Sequence, residues 1–92
     1  MKIEWSRRAD RDLDWIEDYI AQDSPAAALE MRERIERQVR LLKKQPRIGR
    51  QGRVRGAREL VITALPYIVV YRVKSKVVQI VRVLHGAQQW PR

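Results

Sequence analysis

Two helical patterns separated by only two or three residues constrain this fold more than any other feature of the sequence. Apolar residues spaced three and four apart predict one helix over residues 7–21 and a second that ends before Pro46, which cannot continue a helix. A link this short allows only an antiparallel hairpin. Because one hairpin cannot bury two apolar stripes well, the helices need a sheet to pack on.

Local start signals agree with both patterns. Ser6 and Ser24 stand where a side-chain oxygen would accept a hydrogen bond from a free N–H of the first turn, and Pro25 suits that turn because it lacks an N–H. The inward-facing positions are Ala9, Leu13, Ile16 and Ile20 in the first helix and Ala28, Met31, Ile35, Val39 and Leu42 in the second. The helix hairpin is therefore predicted over about residues 7–45.

Three segments rich in β-branched and aromatic residues predict the sheet, at residues 58–63, 67–73 and 77–84. Their short links make them an antiparallel meander. The N-terminal segment, residues 2–5, is expected to join an edge. The sequence thus predicts an α+β fold, with an N-terminal strand and an antiparallel two-helix hairpin packed on an antiparallel β-sheet of three to four strands.

The link between the last two strands predicts which residues face the helices. A three-residue loop at residues 74–76 would pair Val73 with Val77 and place Arg72 and Arg82 on the same face. Since an unpaired arginine beneath the helices would be costly, the arginine-free face should carry the helix hairpin. On this interpretation Arg72 and Arg82 lie together on the outer face.

Charge divides the chain into an acidic first part and a strongly basic second part. Residues 1–36 hold six basic and ten acidic side chains, a net charge of −4, whereas residues 37–92 hold fourteen and one, a net charge of +13. Glu59 is the last acidic residue. This asymmetry indicates a polyanionic partner, a nucleic acid or an acidic protein. A solvated basic face that aids solubility is the alternative interpretation.

Length and composition exclude several classes of protein. A chain of 92 residues suits one domain, so we expect a single domain over residues 1–92 with a basic loop at 47–57, a β-meander at 58–84 and a C-terminal tail at 85–92. The chain has no cysteine for a disulfide or thiolate metal site, and no apolar run reaches the roughly 18 residues of a membrane span. The charged N-terminus is unlike a signal peptide. We expect a cytoplasmic protein with no membrane association, no metal and no cofactor.

Several short motifs, in their order and spacing, resemble the RelE/ParE superfamily of bacterial toxins. They are Trp5-Ser6 before Ala9 and Asp12-Leu13, then Pro46 and Gly49, Val54-Arg55-Gly56, Arg58-Glu59-Leu60, the segment 67–73, and Val83-Leu84-His85-Gly86 with Trp90-Pro91. The resemblance spans essentially the whole chain. No single motif is diagnostic, but together they indicate membership, closer to the ParE-like branch.

The resemblance implies the toxin of a type II toxin–antitoxin system. Such a toxin is held inactive in a complex with a cognate antitoxin, whose flexible segment wraps it. RelE-like members cut messenger RNA on the ribosome, whereas ParE-like members poison DNA gyrase. The fold alone does not choose between these targets.

The candidate catalytic residues form at most a partial RelE-like set. Metal-free RNA cleavage needs a proton acceptor and cations that stabilise the charged phosphorane. RelE itself uses lysines on the first meander strand and an arginine after the tyrosine that opens the next strand, but here the strand has no lysine and Ile68 follows Tyr67. By similarity to other nuclease members, Arg72, Arg82 and His85 are the candidates. The alternative for His85 is a polar residue at a strand end that bonds to nearby backbone.

The candidate target-binding residues are Arg47, Arg50, Arg53, Arg55, Arg58, Arg72, Arg82 and Trp90. The basic loop contains three glycines in or beside its arginine run, so we expect it to be too mobile for a fixed geometry and to act by long-range attraction. Arg72 and Arg82, on regular strands, would instead make specific contacts. Trp90 either stacks on a base or folds back as a hydrophobic plug, and the plug is the favoured interpretation.

Three functions remain open at this point. The missing RelE-type basic residues favour a ParE-like toxin that inhibits growth by binding DNA gyrase or a related nucleic-acid machine. The first alternative is a ribosome-dependent mRNA endoribonuclease that uses Arg72, Arg82 and His85. A non-toxic nucleic-acid-binding module is the weakest, because the meander offers neither a recognition helix nor paired exposed aromatic residues.

Overall fold

The computed structural model describes residues 1–86 and Trp90. Along the chain, one strand is followed by two helices and then by four further strands. In chain order the elements are β1 (Lys2–Trp5), α1 (Arg7–Ala21), α2 (Pro25–Arg40), a short 3₁₀ helix (Leu41–Lys43), β2 (Arg50–Gln51), β3 (Arg58–Val61), β4 (Tyr67–Lys74) and β5 (Val77–His85). This is the α+β arrangement that the sequence predicts, with each expected helix and strand in place.

Both helices begin at the predicted caps. The Ser6 hydroxyl accepts from the Ala9 N–H at 3.0 Å, and the Ser24 hydroxyl accepts from the Ala27 N–H at 3.1 Å. Pro25 opens α2, as expected from its missing N–H. These contacts satisfy donors that have no partner within the helix, and they fix where each helix of the hairpin starts.

The sheet has five strands in the order β1-β5-β4-β3-β2, so the prediction of three to four strands was too low. The missed strand, β2, pairs antiparallel with β3 over only two residues inside the glycine-containing loop, where no period-two pattern exists to reveal it. β1 lies at an edge, as predicted, and runs parallel to β5. The remaining neighbours are antiparallel.

The predicted register of the β4–β5 hairpin was wrong. Lys74 pairs with Val77 across a two-residue turn, and Ser75 adopts a left-handed conformation there with φ of 55°. Because the side-chain period of a strand is two, this one-residue change reverses the faces of the first part of β5. Val78 and Ile80, which the three-residue loop would have placed on the outer face with Arg72 and Arg82, lie in the core instead.

A β-bulge restores the predicted parity further along the same hairpin. Tyr71 pairs with Ile80 but Val70 pairs with Arg82, so Val81 is the extra residue on β5. Beyond the bulge Val83 lies in the core, on the face that the three-residue loop would also have given it. The bulge therefore sets which β5 residues near its C-terminal end reach the helices and which reach the opposite face.

The helix hairpin covers one face of the sheet, called here the helix face. Leu13 of α1 and Ile35 of α2 belong to the same buried cluster as Val69, Tyr71 and Ile80 of the sheet. The opposite surface, called the back face, has a smaller buried cluster of Ala57, Val70 and Leu84, against which Val54 and Trp90 pack. The basic loop thus covers part of the back face, where no helix lies among the described residues.

Tyr71 fastens the start of the basic loop to the core. Its buried hydroxyl donates to the Pro46 carbonyl at 2.8 Å and accepts from the Gly49 N–H at 2.9 Å. The backbone approaches the ring so closely that a Cβ atom at Gly49 would lie 2.6 Å from the tyrosine oxygen. Glycine is required here by contact with the ring rather than by an unusual φ angle.

We expect Tyr71→Phe to lower the free energy of unfolding by about 1–3 kcal/mol, because the Gly49 N–H and the Pro46 carbonyl lose a buried partner. Urea unfolding of both proteins measures this change. Tyr19→Phe is the matched control, since Tyr19 is 60% exposed, and it should change stability by less than about 0.5 kcal/mol. Equal effects of the two substitutions would contradict the role assigned to the Tyr71 hydroxyl.

Candidate functional site

Glu59 is a buried acidic residue of β3 that lies beneath the basic loop. Only 2% of the residue is exposed. One carboxylate oxygen accepts from Arg50 Nη2 at 3.1 Å, and the other accepts from both the backbone N–H and Nε of Arg53 at 3.0 Å. The only acid in the basic part of the chain therefore joins two loop arginines to strand β3.

These hydrogen bonds determine the charge state of Glu59. Burial by itself would raise the pKa of its carboxyl, but hydrogen bonds from the backbone and side chain of Arg53 and from Arg50 outweigh it and lower the pKa. The carboxylate is thus ionised at neutral pH. The expectation that the loop is too mobile to fix its arginines is wrong for Arg50 and Arg53, because a buried anion orients both guanidinium groups.

Other contacts close the basic loop around the same centre. The Gly52 N–H donates to the Ala57 carbonyl at 2.8 Å, and a Cβ atom at Gly52 would lie 2.9 Å from that oxygen. Arg58 Nη1 donates to the carbonyls of Gly49 at 2.8 Å and Arg47 at 3.3 Å. The loop backbone is therefore held at both ends, and its guanidinium groups are displayed from a fixed frame.

Arg72 lies beside this loop on the back face. Its neighbours along β4, Val70 and Tyr71, belong to the back-face cluster and the helix-face core, so alternation places the Arg72 side chain on the back face. It is exposed, and within residues 1–86 and Trp90 it makes no ion pair at 4 Å or less. Its position agrees with the outer face predicted for it.

Arg82 pairs with Val70 and so has the predicted outer-face parity, but its guanidinium is engaged by α1. Its Nε donates to Asp12 Oδ2 at 2.7 Å and its Nη2 to Asp12 Oδ1 at 3.2 Å. The same carboxylate accepts from the Val83 N–H at 3.0 Å, and Arg8 lies 3.6 Å away. Asp12 thus ties α1 to the part of β5 beyond its pairing with β1, and it binds the Arg82 guanidinium.

An open groove of about 780 Å³ lies beside Arg82. Its wall on α1 carries Trp15 and Tyr19, which are 67% and 60% exposed and stack with ring centroids 5.5 Å apart. We call it the aromatic groove. Its lining residues are Arg8, Asp12, Trp15, Ile16, Tyr19, Tyr67, Arg82, Val83 and His85. Such a surface combines apolar rings with a few charged groups, as ligand and peptide sites do.

His85 lies at the end of β5 in the same groove. Its ring meets Tyr67 edge to face, with centroids 6.0 Å apart. Burial raises the pKa of the Tyr67 hydroxyl, and Tyr19 adds to the effect, so Tyr67 is a hydrogen-bond donor at neutral pH. The structure therefore brings Arg82, His85 and Tyr67 to one surface.

The three candidate catalytic residues do not converge on one point. His85 pairs with Tyr67, five residues before Arg72 on β4. At about 3.3 Å per strand residue and about 4.8 Å between strands, the backbones at Arg72 and His85 are about 17 Å apart, and the register places the two residues on opposite faces of the sheet. Groups that act on one phosphate must lie within hydrogen-bond reach of it, so Arg72 cannot share a reacting phosphate with His85 in this conformation.

Trp90 is half-buried against the back-face cluster of Ala57, Val70 and Leu84. This contact supports the plug interpretation over an exposed stacking platform. Within the part of the chain that is described, no group of His, Cys, Asp and Glu is arranged to hold a metal ion, and no helix has the length and hydropathy to cross a membrane.

Sequence reasoning missed two acidic residues and one aromatic pair. Glu59 stood out as the lone acid among the basic residues, but sequence does not reveal that its side chain is buried beneath the loop. Asp12 precedes a core leucine by one position, and its partner on β5 is 70 residues away. Trp15 and Tyr19 are four residues apart on one helix, a spacing that allows their rings to stack. The same spacing is equally consistent with two residues of the apolar stripe that faces the core.

We expect Glu59→Gln to lower the free energy of unfolding at pH 7 by about 1–3 kcal/mol, because one acceptor becomes an NH₂ group that faces arginine donors. Since folding lowers the pKa of Glu59, its stabilising effect is present above the ordinary carboxyl pKa and is lost as pH falls through the folded-state pKa. The stability difference between the two proteins should therefore shrink on acidification below about pH 4.5. Urea unfolding between pH 7 and pH 3 measures it, and a constant difference would contradict this role.

Comparison with known proteins identifies the family. The sequence model of the ParE toxin of type II toxin–antitoxin systems, parDE, matches residues 3–90. Y4kP of Sinorhizobium fredii (strain NBRC 101917 / NGR234), a toxin candidate by name, is 45% identical over 91 residues, which cover 99% of this chain and 94% of that protein. Toxin RelE2 of Caulobacter vibrioides (strain ATCC 19089 / CIP 103742 / CB 15) is 39% identical over 87 residues, or 95% of this chain and 97% of that one.

The same family appears among solved structures. A chain of the chromosomal ParDE toxin–antitoxin system from P. aeruginosa superimposes with a TM-score of 0.83 at 35% sequence identity, over 92% of this chain and 95% of that one. Family, relatives and fold agree over nearly the full length. The chain therefore belongs to the ParE toxin family and is the toxin of a type II toxin–antitoxin system.

Proposed function

We propose that this toxin inhibits growth in the cytoplasm by binding DNA gyrase, and that it does so as a binding protein without an active site of its own. The observation that carries the proposal is the separation of its candidate catalytic groups. Arg72 lies about 17 Å from His85 by the strand register, on the opposite face of the sheet. The match to the ParE family over residues 3–90 supports a gyrase target by family.

The state of Arg82 supports the same conclusion. Stabilising a phosphorane requires a cation that is available to the developing charge. Here Arg82 makes two hydrogen bonds to Asp12, whose carboxylate already balances that charge. A substrate phosphate would have to compete with a carboxylate at 2.7 Å, so Arg82 serves better as a tie between β5 and α1 than as a catalytic cation.

One arrangement favours a ribosome-dependent endoribonuclease as the second candidate. His85 and the Tyr67 ring lie beside Arg82 in the aromatic groove. A histidine, a phenol that stays protonated and a guanidinium would be sufficient for proton transfer and charge stabilisation if the Arg82–Asp12 pair opened. This candidate predicts a strong dependence of toxicity on His85, which the gyrase proposal does not.

The toxin requires an antitoxin, and we propose that an amphipathic segment of it occupies the aromatic groove. The exposed Trp15–Tyr19 stack and the neighbouring Ile16 offer apolar anchors along one helix. Arg8 and Arg82 share the single carboxylate of Asp12, so a net positive charge remains beside these anchors, and acidic side chains of the segment suit this end of the groove. Helix-in-groove and strand-addition modes both use such a combination of apolar anchors and polar rim.

We expect the purified toxin to inhibit gyrase supercoiling and to leave messenger RNA on ribosomes uncut in toeprinting assays. His85→Ala should keep most of its toxicity, because binding to gyrase does not use a general acid or base. A fall in toxicity of about a hundredfold or more, with codon-specific RNA cuts by the unchanged protein, would establish the nuclease instead. Antitoxin binding by His85→Ala serves as the folding control.

We expect Trp15→Ala to weaken antitoxin binding by about 2 kcal/mol or more, as loss of a central aromatic anchor does. Leu29→Ala is the matched control, since Leu29 is an exposed apolar residue on α2 outside the groove lining, and it should leave affinity nearly unchanged. Calorimetric titration of each variant with the antitoxin measures the difference. Equal losses for both variants would place the antitoxin segment elsewhere.

A further inference from the structure

One end of the back face presents a basic surface that neither the gyrase proposal nor the antitoxin site in the aromatic groove uses. Arg55 of the basic loop and Arg72 and Lys74 of β4 are exposed, and none of the three forms an ion pair with another residue in the described part of the chain. Arg50 and Arg53 lie beside them, fixed by Glu59. We call these five side chains the arginine face.

The loop that carries part of the arginine face is held in place by buried contacts and by backbone hydrogen bonds. Glu59 anchors the loop from below, the Gly52 N–H closes it onto the Ala57 carbonyl, and Val54 packs on the back-face cluster. Arg50 and Arg53, whose guanidinium groups are held by Glu59, lose less conformational entropy on binding than side chains on a mobile loop do. The same arginines on an unanchored loop would supply attraction without geometry.

The spacing of the arginine face can be derived from the sheet. Arg50, Glu59 and Val70 form one row across three strands, and Arg72 follows Val70 by two residues. With about 4.8 Å between strands and 3.3 Å per residue, the backbones at Arg50 and Arg72 are about 12 Å apart. A duplex carries one negative charge per about 1.7 Å of axis, so that length presents about seven phosphates.

We propose that the arginine face binds the phosphate backbone of duplex DNA directly. Guanidinium groups suit this role because their fork geometry matches phosphate oxygens in a bidentate way. The nearest acidic side chains on this face are already paired with cations and so do not repel the DNA phosphates. Glu59 is bound by two arginines, and Glu4 lies 3.9 Å from Lys2. This activity goes beyond gyrase binding, because it requires no other protein.

The surroundings favour a duplex over the two other polyanions. An acidic protein segment needs apolar anchors, and the exposed Trp15–Tyr19 pair that offers them lies in the aromatic groove instead. A single strand needs a ring on which bases stack. The ring that the structure describes on the back face, Trp90, is packed against the apolar cluster. Contact with the phosphate backbone of the nucleic acid is therefore all that the arginine face offers.

The test measures binding of a labelled duplex of about 20 base pairs to the full-length toxin by fluorescence anisotropy, at several salt concentrations and with no gyrase present. Arg55→Gln and Arg72→Gln each remove one charge from the arginine face. Arg11→Gln is the matched control, because it removes the same charge from an exposed position on α1. Thermal melts confirm that each variant is folded.

We expect each face variant to weaken binding about five- to tenfold near 0.1 M salt and to reduce the slope of log affinity against log salt by about one, because one phosphate contact is lost. For Arg11→Gln, the loss of affinity and the change in the salt slope should each be at most about half of those for the face variants. Glu59→Gln should also weaken binding, although it raises the net charge, because Arg50 and Arg53 lose their fixed positions. Tighter binding by Glu59→Gln would overturn the positioned surface.

Two further outcomes would overturn the proposal. If Arg11→Gln weakens binding as much as Arg72→Gln, only the net charge matters and there is no arginine face. If polyglutamate or a single-stranded oligonucleotide of equal charge binds more tightly than the duplex, the surface belongs to another class of polyanion. Gyrase inhibition by Arg72→Gln is assayed separately, so a failure of DNA binding is distinguishable from a failure of the gyrase proposal.

Discussion

A two-helix hairpin covers only one face of a sheet, and the organisation of this molecule follows from that constraint. The apolar stripes of α1 and α2 pack on the helix face around Leu13, Ile35 and Tyr71. The strands also have apolar residues on the other face, where Val70 and Leu84 are fully buried. With no third helix in the described chain, the basic loop and Trp90 cover this smaller cluster. A loop rich in arginine can cover an apolar cluster only if its backbone is held, which the anchors at Tyr71 and Glu59 provide.

Two acidic residues perform the same task at opposite sides of the sheet. Asp12 accepts from the Val83 N–H and from Arg82, and Glu59 accepts from the Arg53 N–H and from two arginines. In both cases a carboxylate joins a segment outside the strand ladder to the sheet. Each carboxylate accepts from both a backbone N–H and a guanidinium. Such charge-assisted hydrogen bonds are stronger than hydrogen bonds between neutral groups. In a chain of net charge +9, acids are placed where they organise cations.

The sequence was sufficient for the elements of the fold but not for their faces. Helix periods and caps predicted α1 from Arg7 to Ala21 correctly, because those signals are local. The faces of β5 depended on a turn one residue shorter than expected and on a bulge at Val81, which a period-two pattern of valines and isoleucines does not reveal. The site residues were found by type, since basic residues are visible in any sequence. Their partners were not, because the Arg82–Asp12 contact spans 70 residues and only packing brings it about.

The placement of the two surfaces has a consequence for neutralisation. The aromatic groove lies between α1 and the C-terminal end of β5, whereas the arginine face lies on the back of the sheet near the turn that joins β4 and β5. An antitoxin segment confined to the groove would leave Arg55 and Arg72 exposed. Neutralisation of a toxin that contacts DNA would then need either a second, acidic contact on the back face or a steric block by the bulk of the antitoxin. A segment that combines apolar anchors for Trp15 with acidic residues further along would meet the first requirement, because the two surfaces differ in chemistry as well as in position.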